Sequence, residues 1–169
     1  MKNILYMATS LNGYIAKKNN ETPWSESEWK SYSKIVKSIG NIIIRWNTYK
    51  IMKESDEFNS INNPLTIILT NQKLPPKNNF IFVNSPTKAL DILKEKGFKK
   101  VLISGGKKLN TSFLKKNLID EIYIDVEPFI FGKGIKLFSE VAIYKNLELL
   151  ETKLLSKNTI QLHYKVSKD

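Results

Sequence analysis

The sequence predicts a three-layer α/β/α sandwich whose central sheet is mainly parallel and ends in a C-terminal antiparallel hairpin. Three observations carry that expectation. Short apolar runs rich in Ile, Leu and Val alternate with amphipathic segments, the pattern of strand–helix–strand units. The middle runs are apolar throughout, as strands covered on both faces must be. The last two alternate residue by residue, as in Thr159-Ile160-Gln161-Leu162-His163-Tyr164-Lys165-Val166, which suits an antiparallel pair at a sheet edge.

Taken in order, the first strand is expected over Ile4 to Ala8. A helix over Glu26 to Ser38 follows, opened by Ser25-Glu26-Ser27-Glu28, which reads as a capping box with Ser25 as N-cap and Glu28 reaching back to its amide. At 100° per residue, Glu28 and Trp29 share an arc with Tyr32, Ile35, Val36 and Ile39, while Glu26 points the opposite way. Strand Asn41 to Ile44 leads into a short helix, Thr48 to Lys53, with Thr48 as the expected N-cap and Arg45 facing water. Strands Leu65 to Thr70 and Phe80 to Val83 precede helix Thr87 to Lys96. Strand Val101 to Ser104 runs through Gly105-Gly106 into helix Thr111 to Lys116. Strand Ile122 to Glu127 and the hairpin Leu147 to Leu155 with Thr159 to Val166 complete a single domain over 1–169.

Composition narrows the function classes. A chain of 169 residues with 41% hydrophobic and 25% charged residues has the balance of one globular domain. No apolar run approaches the roughly 20 residues that span a bilayer, and the start carries no signal-peptide pattern, so the expected compartment is the cytoplasm. With no cysteine and one histidine, His163, thiolate catalysis and multi-histidine metal sites are excluded. The net charge of +11 favours anionic ligands. A basic nucleic-acid-binding domain without catalysis is the alternative of another class, but the lysines and aromatics are dispersed rather than gathered on one face.

Sheets of this type bind ligands where strand ends lead into helices. Three junctions qualify: Ile44-Arg45-Trp46-Asn47-Thr48, Leu69-Thr70-Asn71-Gln72 and Ser104-Gly105-Gly106-Lys107-Lys108. Paired glycines let a backbone approach a ligand closely, and N–H groups at a helix start suit a pyrophosphate. Glu28, at the edge of an apolar stripe, has two open roles: helix capping, or proton relay to and hydrogen bonding of an amino-pyrimidine edge. The acids Asp120, Glu121, Asp125 and Glu127 surround one strand. Acids at strand ends are usually solvated, but Asp125 interrupts an apolar run and faces away from Ile124 and Val126.

In this order, these junctions resemble the dihydrofolate reductase superfamily, most closely the C-terminal reductase domain of riboflavin-pathway deaminase-reductases. Met7-Ala8-Thr9-Ser10-Leu11-Asn12-Gly13-Tyr14-Ile15-Ala16 is similar to the family's Ser-Leu-Asp-Gly-x-Ile-Ala segment, with Asn12 in place of aspartate. The stretch from Ser104-Gly105-Gly106 to Asp120-Glu121, then Pro128 to Phe138, follows the family's carboxyl-terminal signature. The resemblance implies a dihydrofolate-reductase-like fold and an NADPH site. Ala8, Thr9 and Ile15 would lie beside the nicotinamide, Thr48 at the pyrophosphate, Thr70, Asn71 and Gln72 around the adenosine, and Gly105, Gly106, Lys107 and Leu109 at a second phosphate turn. The family's Gly-Arg-x-Thr is here Arg45-Trp46-Asn47-Thr48, which moves the arginine one residue early. For the heterocycle, the resemblance implies Trp24, Glu28, Tyr32 and Asp125, with Glu28 and Asp125 catalytic. The implied reaction is reduction of dihydrofolate or, alternatively, of 5-amino-6-(5-phosphoribosylamino)uracil. A homodimer through the sheet edge is also implied, with no nucleic-acid or membrane partner.

Overall fold

Alternation within the strands divides the core in two. In the computed structural model, which describes residues 1–168, Leu5, Ile43, Ile67, Val101 and Ile103 point to one face of the sheet. Ile4, Tyr6, Ile42, Ile44, Ile68 and Leu102 point to the other. The elements run β1 (Lys2–Ser10), β2 (Tyr14–Lys17), α1 (Glu26–Ile39), β3 (Asn41–Arg45), α2 (Trp46–Glu54), α3 (Glu57–Ser60), β4 (Leu65–Leu69), β5 (Phe80–Val83), α4 (Pro86–Glu95), β6 (Lys100–Ile103), α5 (Lys107–Lys115), β7 (Glu121–Glu127), β8 (Gly134–Lys136), β9 (Leu147–Leu154) and β10 (Ile160–Val166).

Eight strands form one sheet in the order β5-β4-β3-β6-β1-β7-β10-β9. Neighbours from β5 through β7 are parallel, while β10 is antiparallel to both β7 and β9. Ala89, Leu90 and Leu93 of α4, with Leu109 and Phe113 of α5, cover the first face. Val36 of α1, Tyr49 and Met52 of α2 and Phe58 of α3 cover the second. The three-layer sandwich with its terminal hairpin is thus the architecture the alternation of runs predicts. Among the described residues, no helix is long and apolar enough to cross a membrane.

Several expectations are corrected. The two-stranded sheet of β2 and β8 and the short α3 were not expected from the sequence. Thr48 does not cap α2. The chain turns straight from β3 into the helix, so Arg45 is the N-cap, without a side-chain hydrogen bond, and Thr48 is the third helical residue. Likewise α5 begins at Lys107 rather than Thr111, with Gly106 as an N-cap that has no side chain to offer. By contrast α1 and α4 are capped by Ser25 and Ser85, which accept from the amides of Glu28 and Lys88. The strand ends at Leu69 and Ile103 leave Thr70 and Ser104 in the loops that follow. Gly105 has a φ of +78°, the left-handed region that favours glycine.

Candidate functional site

A cleft of about 830 Å³ opens at the carboxyl ends of β1, β3, β4 and β6. Its position follows from the parallel order of the sheet: β1 and β3 both flank β6, and their following loops diverge over a shared gap. All three tryptophans of the sequence, Trp24, Trp29 and Trp46, stand in its wall.

The structure gathers most of the expected residues here. Ala8, Ile15, Trp24, Glu28, Tyr32, Arg45, Thr48, Thr70, Asn71, Gln72, Gly106 and Lys107 all line the cleft. Thr9, Gly105, Leu109 and Asp125 do not. Thr9 is buried in β1, Gly105 packs toward Met7, and Leu109 is wholly enclosed in the core beneath α4 and α5. Arg45, expected to face water, is half-buried in the wall. The N-termini of α2 and α5 open on this space, and neither has a side-chain cap. Their first N–H groups are therefore donors without an intrahelical partner, and Arg45, Lys107 and Lys108 stand around them. Thr70, Asn71 and Gln72 also border an adjoining depression of about 610 Å³.

At the other end the floor carries acids. Glu28 is buried, and its amide donates to Ser25 Oγ at 3.2 Å. Its carboxylate does not complete the expected capping box. The Ser25 amide donates instead to Glu127 Oε2 at 3.1 Å, and Ser25 Oγ donates to Glu127 Oε1 at 2.8 Å. Glu127, expected to be solvated, is fully buried because these two donors from the start of α1 replace its water. This substitution leaves the Glu28 carboxyl facing the cleft. Burial pushes Glu28 up to about 8, helped by the charges of Asp125, Glu127 and Glu57. Ser25→Ala removes the α1 cap and one bond to Glu127. We expect it to cost about 1–3 kcal/mol in a denaturant titration.

Asp125 lies behind the wall, one layer from the cleft. Tyr6, which does line the cleft, donates its hydroxyl to Asp125 Oδ2, and Gln161 Nε2 donates to Oδ1 at 2.7 Å. Gln161 also donates to Ser31 Oγ at 3.0 Å, which closes a network through β1, β7, β10 and α1. Burial raises Asp125 to about 6 against the bonds from Tyr6 and Gln161, with Glu127 adding to the rise. Burial also holds the Tyr6 hydroxyl protonated, reinforced by Asp125 and Glu28. Tyr6 and Glu57 line the cleft without having been expected there. The alternation of β1 puts Tyr6 on the face of Ile4 and Ala8, and that pattern was available as a signal.

Comparison with known proteins agrees with this fold. The family model described as RibD C-terminal domain matches residues 2–161. The chain is 30% identical over 169 residues to the "Uncharacterized protein YwjB" of Bacillus subtilis (strain 168), covering 96% of this chain and 97% of that one. The crystal structure of a putative riboflavin biosynthesis protein from Shewanella sp. PV-4 is similar at a TM-score of 0.77 and 22% identity, covering 99% of each chain. A diaminohydroxyphosphoribosylaminopyrimidine deaminase/5-amino-6-(5-phosphoribosylamino)uracil reductase from Thermotoga maritima is similar at a TM-score of 0.75 and 17% identity. It is matched over 98% of this chain and 56% of its own. At these identities the structural likenesses speak for the fold.

Proposed function

Because the chain belongs to the RibD C-terminal domain family, we propose that it is an NADPH-dependent reductase acting on a flat nitrogen heterocycle. The observation that carries this reading is a single cleft with uncapped helix N-termini and cations at one end and a buried carboxyl at the other. The donor set at the first end fits a pyrophosphate. Arg45, Thr48, Gly106 and Lys107 would hold it, with Thr70, Asn71 and Gln72 around the adenosine. Ala8 and Ile15 offer the small apolar surface a nicotinamide ring needs. Thr9, Gly105 and Leu109 back this wall from behind. When bound, the cofactor supplies the hydride, and the protein supplies orientation and electrostatics.

On the acidic side, Glu28 is the proton donor. Its raised range keeps it protonated at neutral pH, so it can give a proton to a ring nitrogen as hydride adds to the adjacent carbon. Tyr32, one turn along α1, packs against the ring. Asp125 acts through Tyr6, fixing the hydroxyl in the floor. The ring is a pterin, as in dihydrofolate, or a pyrimidine, as in 5-amino-6-(5-phosphoribosylamino)uracil.

Thermal melting tests the cofactor assignment. NADPH at about 100 times its Kd should stabilise the protein by about 2.7 kcal/mol, a shift of several degrees that equimolar phosphate does not reproduce. A transition unmoved by both NADPH and NADH would overturn the reductase reading.

We further propose a homodimer through the sheet edge. β9 is exposed along its whole length, including Leu147, Leu149, Leu150 and Leu154, a poor edge to leave in water. Sedimentation should give twice the chain mass, and Leu149→Lys should give the monomer.

A further inference from the structure

The cleft is chemically lopsided. Its basic groups, Arg45, Lys107 and Lys108, all sit where β3 and β6 run into α2 and α5. The nine residues of α2, about 13 Å of helix, separate Arg45 from the opposite end. There the wall is Trp24, Trp29 and Tyr32 of the α1 side and Ile51 of α2, with two acids, Glu57 and the protonated Glu28. Among the described residues lining that end, none is basic. After burial itself, the charges acting on Glu28 come from Asp125, Glu127 and Glu57, all acidic.

Unlike α2 and α5, the helix that starts at this end has a side-chain cap. The α1 cap is filled by Ser25, and the Ser25 amide is taken by Glu127. An anionic group entering here would lose water, gain no cation, and face Glu57, itself half-buried. A flat ring is favoured instead, between the aromatic faces and with its amino groups toward carboxyl oxygens.

Building on the reductase reading above, we propose that the substrate is a compact planar heterocycle, rich in amino groups, that carries no phosphate or carboxylate tail. The Glu57 charge, the protonated Glu28 carboxyl and the aromatic wall beside them set this selection. It separates the chain from the Thermotoga maritima enzyme, whose name carries a phosphoribosylamino substrate. It also separates the chain from any enzyme built for the glutamate tail of dihydrofolate.

The three wall tryptophans report binding directly. Fluorescence titrations with NADP⁺ present would compare two matched pairs: 5-amino-6-ribosylaminouracil with its 5-phosphate, and 7,8-dihydropterin with dihydrofolate. The tail-free member of each pair is expected to bind at least about tenfold more tightly. Glu57→Arg should narrow that gap by strengthening the anionic member. Equal or tighter binding of an anionic member by the native protein overturns the proposal. So does a Glu57→Arg variant whose gap is undiminished, or a protein that binds NADPH but neither member of either pair. The melting shift with NADPH is read in parallel. Its loss removes the reductase reading as well, whereas a normal shift with preference for the anionic compounds removes the substrate assignment alone.

Discussion

Replacing Glu28 with glutamine is expected to make the protein more stable and nearly inactive. The carboxyl titrates near 4.5 in ordinary surroundings and near 8 in the fold. Between those values the folded protein holds a proton that the unfolded chain has released, so stability falls as pH rises through the window. Below pH 4.5 the penalty is absent; above 8 it is complete. At pH 7 it amounts to roughly 3 kcal/mol, taken as about 1.36 kcal/mol for each unit between 4.5 and 7. Glutamine keeps the shape and does not titrate. The melting temperature of Glu28→Gln should therefore match the native protein near pH 4 and exceed it by several degrees at pH 7. Turnover should drop by about 10²–10⁴ with NADPH affinity unchanged. For the native protein, on the reductase reading proposed above, kcat/KM should decline above about pH 8, where the donor loses its proton. Full turnover in the variant, with no gain in melting temperature, would return Glu28 to a helix-capping role.

The second large effect is expected at Leu109. Its place beside the twin glycines makes it a candidate cofactor contact from the sequence, yet the side chain is fully enclosed among α4, α5 and the sheet. Leu109→Ala should cost about 2–5 kcal/mol, through lost burial and the cavity left behind. The folded fraction should bind NADPH with the native Kd. A cofactor affinity that falls more than about tenfold, with little loss of stability, would put Leu109 in the cleft wall after all.

Most of the central sheet was legible because burial on both faces writes itself into composition. Ile42-Ile43-Ile44 and Ile67-Ile68-Leu69 have no polar position to offer. Glu28 was legible for the same kind of reason, since its angular place on α1 falls among residues that must pack. What stayed hidden depends on partners distant in the chain. The burial of Glu127 is made possible by Ser25, 102 residues earlier, and no local pattern announces that pairing. β2 and β8 are four and three residues long with an irregular register, too short to show a period. α2 starts two residues before Thr48 and α5 four before Thr111, and neither start carries a capping side chain. Their exposed N–H groups, left without one, are the feature that makes the cleft receptive.

Within this domain β1 comes first in sequence, yet it sits between the last two parallel strands. Its hydrogen-bonded neighbours, β6 and β7, begin at residues 100 and 121. During synthesis Ile4, Leu5, Tyr6 and Ala8 therefore wait as a bare apolar ribbon until most of the polypeptide has emerged. Such long-range closure slows folding and leaves the nascent chain exposed to aggregation. A fragment truncated before residue 121 should be recovered in aggregates, because β1 is then left as an unpaired apolar sheet edge.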